Sequence, residues 1–179
     1  MKTLTLLRHA KSGWDDGELR DFDRTLNAKG ARAARVMGQH LRDQRLAFDH
    51  VVASPAVRVM ETLDAVEKGY GRRLSPEWDR DLYLAPASVL VERVRALSDD
   101  LDRVLLVGHN PGLEDLVLLL VPDRAGDLRD AVEEKYPTAS LAELVLADGW
   151  AHAGHGGATL TRFVRPRDLD VSLGPDDEG

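Results

Sequence analysis

Three short apolar runs, Leu4–Leu7, His50–Ala53 and Val104–Val107, constrain the fold of this chain more than any other feature. Each is rich in Val or Leu and too short for a helix. The second and third are almost continuously apolar, the pattern of parallel strands covered on both faces. Helical patterns lie between and after them. Ala28–Asp43 places Ala33, Val36, Met37 and Leu41 on one helical face. Val57–Glu67 and Ala87–Leu97 repeat that spacing, while Leu113–Val121 is apolar nearly all round and reads as a covered helix. Strands alternating with helices at these intervals predict an α/β fold, a three-layer α/β/α sandwich with a mainly parallel central sheet.

Two later runs, Leu141–Leu146 and Ala158–Val164, also have strand character. Asp148-Gly149 and Gly154–Gly157 between them predict a hairpin with a long loop at a sheet edge. The segment Asp123–Thr138 is charged and poorly periodic, and reads as a surface excursion. The 179 residues suffice for one domain burying roughly 70% of its unfolded surface. With no long linker or repeat, a single domain over 1–170 is expected, followed by a disordered acidic tail over 171–179.

A net charge of −7 argues against nucleic acid or an anionic membrane as a broad partner, because the global field would repel both. Any anion bound here must be gripped by a few well-placed cations. The absence of cysteine excludes disulfides, thiolate metal sites and a cysteine nucleophile. A strand pattern starts almost at the first residue, without the basic and apolar regions of a signal peptide. The longest apolar run, Leu116–Val121, is far below the ~20 residues of a membrane span. The expectation is a cytoplasmic protein, and a monomer, since no apolar surface stripe stands out.

In open α/β sheets, ligands gather beyond the carboxyl ends of the parallel strands. The first run ends in Arg8-His9, the second in Ser54-Pro55 with Arg58 about one turn into a helix, and the third in Gly108-His109. Two arginines and two histidines thus arrive at one edge from three strands. Ser54 with Pro55, and Asn110 with Pro111, read as helix caps followed by first helical residues. Arginine forks hold phosphate oxygens bidentately and stay charged at neutral pH. A histidine near its reference pKa of about 6.5 is largely neutral at pH 7 and can attack. Phosphoryl transfer asks mainly for alignment and charge stabilisation. One histidine as attacker and the other as donor to the phosphoryl oxygens meet that demand. The motifs contain no P-loop, no Walker-type aspartate and no histidine–carboxylate metal cluster, so metal-free, cofactor-free phosphoryl transfer fits best.

The ordered set LLRHAKSGW, DFDRTLNAKG, VVASPAVRVMET, DLYLA, LLVGHNP and YPTASLAELVL resembles the histidine phosphatase superfamily, which also contains the cofactor-dependent phosphoglycerate mutases. The nearest resemblance is to its short, SixA-like phosphohistidine phosphatase branch. It implies a phosphoglycerate mutase-like fold, with His9 as the nucleophile that becomes phosphorylated. Arg8 and Arg58 would hold the phosphoryl oxygens, and His109 would stabilise the transferring group. Family members follow the first histidine with Gly, whereas this chain has Ala10. Many members take a general acid from the region after the second helix, which makes Asp81 the candidate here, with Glu77 and Asp79 behind it. The substrate would be a phosphorylated protein or a small phosphorylated molecule. Phosphohistidine is favoured because its leaving imidazole is easily protonated. A small-molecule phosphomonoesterase or mutase on the same site is the alternative, followed by a phosphate-binding module without turnover.

Other residues carry weaker signals. Ser12 and Lys11 follow the nucleophile as candidate substrate contacts or as ordinary loop residues. Asp21, Arg24, Leu26, Asn27 and Gly30 read as loop-shaping and capping groups, and Lys135 and Thr138 as structural. His152 and His155 lack a carboxylate or cysteine partner at ligand spacing and read as hairpin-loop residues.

Overall fold

The computed structural model describes residues 1–13 and 17–174. Among the described residues six strands form one sheet: β1 (Lys2–Arg8), β2 (His50–Ala53), β3 (Glu77–Trp78), β4 (Arg103–Gly108), β5 (Leu141–Leu146) and β6 (Ala158–Val164). Their order across the sheet is β3-β2-β4-β1-β5-β6. The first four in that order run parallel, and the expected hairpin adds β5 and β6 antiparallel at one edge. The helices are α1 (Ala28–Asp43), α2 (Val57–Tyr70), α3 (Ala87–Arg95), α4 (Gly112–Leu120), α5 (Asp127–Glu134) and the short α6 (Pro166–Leu169).

The period-two alternation of a strand sorts the core into two layers. Leu4 and Leu6 of β1, Val52 of β2, and Val104 and Leu106 of β4 pack with α3, α4 and α5. Leu7, Val51, Ala53, Leu105 and Val107 face the other way, toward α1 and α2. Burial on both faces explains why β2 and β4 read as continuous apolar runs. Because β4 lies between β2 and β1, the ends of these three strands sit side by side.

The α1–α2 contact is close enough to demand glycine. A Cβ on Gly38 would lie 2.1 Å from the Val66 carbonyl oxygen. Gly38→Ala is therefore expected to destabilise the protein by about 1–3 kcal/mol, the usual cost of overpacking. A lower urea midpoint with an unchanged slope would show it.

The structure corrects two readings. Asp123–Thr138 is not merely a surface excursion: it contains α5 and buries Val132 and Tyr136 completely in the α3–α4–α5 layer. Two turns with so few apolar residues leave little periodicity to read. In the segment read as a tail, Val171–Leu173 form a 3-10 turn with Leu173 buried against the α1–α2 layer, and 175–179 lie outside the described residues. Among the described residues, no helix is long and apolar enough to cross a membrane.

Candidate active site

Arg8 occupies the last position of β1 and shares the face of Leu4 and Leu6, so it reaches the layer containing Tyr136. Its Nη1 donates to the Tyr136 carbonyl at 2.8 Å, and Asn110 Nδ2 donates to the same oxygen at 3.1 Å. The Tyr136 hydroxyl in turn donates to the Leu6 carbonyl at 2.7 Å. The supposed surface excursion thus anchors two residues of the site. Burial lowers the Arg8 pKa, yet a guanidinium stays charged at neutral pH. Its Nε is buried without a partner among the described residues.

His9 follows directly and is 9% exposed. Its Nδ1 lies 2.8 Å from the Ala10 carbonyl. A carbonyl only accepts, so Nδ1 carries the proton and Nε2 keeps its lone pair. Nε2 is 3.4 Å from Arg58 Nε. Ala10, where family members have Gly, is fully buried, and its N–H donates to Thr62 Oγ1 at 2.9 Å. The extra methyl has become part of the core.

Arg58 stands in the first turn of α2 and is 3% exposed. Nη1 donates to the Asp21 carbonyl at 2.7 Å and Nη2 to Asp21 Oδ2 at 3.0 Å. Nη2 is also 3.4 Å from His109 Nδ1. The two imidazole rings are 5.3 Å apart between centroids. A cleft of about 230 Å³ brings together Arg8, His9, Arg58 and His109, with Lys11, Ser12, Asp21, Arg24, Leu84, Asn110 and Thr138 on its walls. Ser12 is buried there, and its hydroxyl accepts from Arg24 Nη2.

His109 lies just past β4. Its Nε2 is 2.7 Å from Ser54 Oγ. Ser54 is consequently not the helix cap the sequence implied: α2 begins at Val57 after Ala56, and Ser54 Oγ is 3.4 Å from the Ala56 N–H. Arg58 Nη2 can only donate, so His109 Nδ1 facing it keeps the lone pair and Nε2–H donates to Ser54 Oγ. Ser54→Ala is expected to lower kcat roughly tenfold, the worth of one buried hydrogen bond, with little change in KM. Pro111 likewise precedes rather than begins α4, whose first residue is Gly112, while Asn110 Oδ1 accepts the Glu114 N–H at 3.2 Å.

Both rings are held neutral. Burial depresses His9 well below 6.5, the adjoining Arg8, His109 and Arg58 add to the effect, and the Ala10 carbonyl opposes it. Burial and then Arg58 lower His109 to about 3, against the attraction of Asp21. In the unfolded chain both would titrate near 6.5, so below that pH the unfolded state takes up protons that the native state refuses. The stability they contribute is complete above pH 6.5 and declines as pH falls, for His109 down to about 3. His109→Gln should flatten part of that decline when unfolding midpoints are compared between pH 7 and 4.

The carboxylates fall differently from expectation. Asp81, the candidate acid, does not line the cleft. It is exposed in the 3-10 turn Arg80–Leu82, which buries Leu82 and leaves Asp81 in solvent. Its N–H donates to Asp79 Oδ1 at 2.9 Å. Asp79 and Glu77 are both paired with Arg93. The same segment instead supplies Tyr83, whose ring meets His109 edge-on at 5.4 Å and whose hydroxyl donates to Asp21, and Leu84, 53% exposed on the cleft wall. Asp21, read as a loop residue, is thus a cleft residue. Burial raises its pKa, but the bonds from Tyr83, Arg24 and Arg58 outweigh that and bring it to about 2. Arg24 is a third arginine on the cleft wall, and its Nη1 donates to Asp21 Oδ1 at 3.1 Å. The spacing DFDR alone does not separate loop shaping from site lining. Asn27 caps α1 by accepting the Gly30 N–H at 2.7 Å. A Cβ on Gly30 would lie 2.1 Å from the Lys11 carbonyl oxygen, so α1 packs directly on the loop after the nucleophile. Among the described residues no cluster of three or more His, Asp or Glu is arranged to hold a metal ion.

The arrangement presents a nucleophilic nitrogen, cationic donors and a neutral imidazole around one oxyanion-sized space. A model described as the histidine phosphatase superfamily (branch 1) matches residues 4–83. An uncharacterized protein of Mycobacterium tuberculosis strain H37Rv is 33% identical over 163 residues, spanning 90% of this chain and 100% of the relative. Among solved structures, the putative phosphohistidine phosphatase SixA from Nakamurella multipartitia aligns with TM-score 0.80 and 31% identity, over 92% of this chain and 96% of the other. The corresponding SixA from Agrobacterium tumefaciens aligns with TM-score 0.78 and 27% identity, over 92% and 98%.

Proposed function

This chain belongs to the histidine phosphatase superfamily, in its SixA-like branch, and from that premise we propose that it dephosphorylates phosphohistidine on a protein through a covalent phosphohistidine at His9. His9 Nε2 attacks phosphorus while the P–N bond of the substrate breaks. Arg8 and Arg58 neutralise the equatorial oxygens, and His109, taking up a proton at Nδ1 beside the bound dianion, adds a donor as charge develops there. The departing imidazole keeps the bonding electron pair. Protonation of its second nitrogen by solvent lets it leave neutral. Water then attacks the phosphorus, the P–Nε2 bond breaks, and phosphate carries away the oxygen of that water. Arg8, Arg58 and Ser12 are the binding residues of this reading, and Arg24 joins them at the cleft wall.

The observation that carries the substrate class is the state of Asp21. Among the described residues it is the single carboxylate on the cleft wall, and at a pKa of about 2 it has no proton to give. An alkoxide leaving group needs such a proton, whereas an imidazole does not. Asp81 is not carried forward as the acid, given its place in solvent.

A hydrolysis screen in the presence of chelator tests the reading. Phosphohistidine protein, phosphoserine and phosphotyrosine peptides, and sugar phosphates would be compared. Faster cleavage of phosphohistidine is expected. Preference for sugar phosphates would reassign the site to small phosphoesters, and a strict metal requirement would remove the mechanism.

A further inference from the structure

A second groove adjoins the catalytic cleft and shares Lys11 and Thr138 with it. Its walls come from the start of α1, the end of α5 and the short α6. Among the described residues five basic side chains line it, Lys11, Lys29, Lys135, Arg165 and Arg167, against one carboxylate, Glu134. In a chain of net charge −7 this is a local reversal of sign. The cations are not equally committed. Arg165 is engaged with Asp168, with Nη2 2.9 Å from Oδ1, and Lys29 Nζ donates to the Gly174 carbonyl at 3.2 Å. The side chains of Lys135 and Arg167 form no hydrogen bond or ion pair among the described residues.

We propose that this groove binds an acidic segment flanking the phosphorylated residue of a polypeptide substrate, with Lys135 and Arg167 as its principal cationic contacts. The inference rests on the reading of the substrate as a phosphorylated protein and adds its sequence preference. A polypeptide whose phosphorylated side chain enters the cleft can continue past Lys11, two residues beyond the nucleophile, into the groove. Elsewhere the net negative charge of the enzyme repels an acidic chain, so the groove both selects that chain and sets its direction. Neither Lys135 nor Arg167 lines the catalytic cleft, so the groove acts on polypeptides and leaves small substrates untouched.

Two measurements test this. In the first, a fluorescein-labelled, unphosphorylated peptide rich in Asp and Glu is titrated with the full-length enzyme, and its Gln/Asn counterpart serves as control. The acidic peptide is expected to bind more tightly than its counterpart, and the doubly substituted Lys135→Glu, Arg167→Glu enzyme to lose roughly tenfold or more in affinity, as two exposed ion pairs become repulsions. Added salt should erode the preference as the Debye length shortens. In the second, kcat/KM is compared for phosphohistidine peptides with acidic or neutral flanks and for phosphoramidate. The double variant should lose the acidic-flank preference and keep its phosphoramidate turnover.

Equal affinity for both peptides, or a preference that survives the double substitution, overturns the proposal even if phosphohistidine is hydrolysed. Acidic-peptide binding that depends on the groove, without phosphohistidine hydrolysis, upholds the groove and rejects the substrate assignment. The sequence continues from Gly174 to Asp176, Asp177 and Glu178. Peptide binding seen only after these three are changed to Ala would assign the groove to the chain's own C-terminus and overturn docking of a substrate.

Discussion

Replacing His9 by Ala is expected to lower turnover by roughly 10⁴-fold or more and to eliminate any acid-labile phosphoenzyme, because a covalent route has no second step once its nucleophile is gone. The geometry makes the prediction specific to one nitrogen. The Ala10 carbonyl takes the proton of Nδ1, and burial keeps the ring neutral, so Nε2 is the available lone pair. The variant keeps Arg8, Arg58 and His109, which are held by Tyr136, Asp21 and Ser54 rather than by His9 alone. It should therefore still bind a tetrahedral oxyanion such as tungstate. Retained oxyanion binding with lost turnover separates a missing nucleophile from a collapsed site. Trapping the phosphoenzyme by rapid quench with labelled substrate, then testing its acid lability, gives the direct readout. Undiminished activity in the variant would place the nucleophile elsewhere.

The second large effect is expected at Arg58. Arg58→Ala should reduce kcat/KM by roughly 10²–10³-fold, the loss seen when one preorganised donor is removed from a developing oxyanion. Arg58→Lys should recover only part of this, since an ammonium cannot meet Asp21 and a phosphoryl oxygen with one rigid fork. The residue has a further electrostatic role. Its charge lowers the pKa of both imidazoles and helps hold Asp21 ionised. In Arg58→Ala the His109 pKa is expected to rise from about 3 toward its ordinary value, which NMR titration of the ring would register. Arg58 is buried, so the alanine variant must first be shown to fold. A folded variant with unaltered kcat/KM would remove Arg58 from the transition state.

A bound phosphoryl group changes the field that these predictions describe. The cleft places cations around two neutral imidazoles, and charging either ring is unfavourable. A dianion beside them reverses the sign of the local potential, so proton uptake by His109 becomes linked to substrate binding. The Asp21 carboxylate rests on Arg58 and Arg24 and offsets part of their mutual repulsion.

The strands and most helices could be read from the chain because their signals are local. His50–Ala53, Ala28–Asp43, Leu141–Leu146 and Ala158–Val164 have the limits their apolar patterns imply. The convergence of Arg8, Arg58 and His109 was also legible, since each follows a parallel strand and parallel neighbours end at one edge. What escaped was every side-chain partnership between residues distant in sequence. Ser54 reads as a cap, yet it meets His109 across 55 residues. Tyr136 sits in a charged stretch, yet it holds Arg8 across 128 residues. On paper Asp81 reads as the candidate acid and Asp21 as a loop residue, and only the packing of Leu82 and the position of Tyr83 decide which one reaches the cleft.

Taken alone, the chain determined its periodicities, and through them the layers, the strand ends and the types of side chain delivered there. The tertiary structure decided which of those side chains are partnered, which proton each imidazole keeps, and that a basic groove continues the cleft. The physical reason is range. Apolar spacing acts over a turn or a strand, whereas a pKa or a hydrogen-bond partner depends on groups brought within a few ångströms by folding.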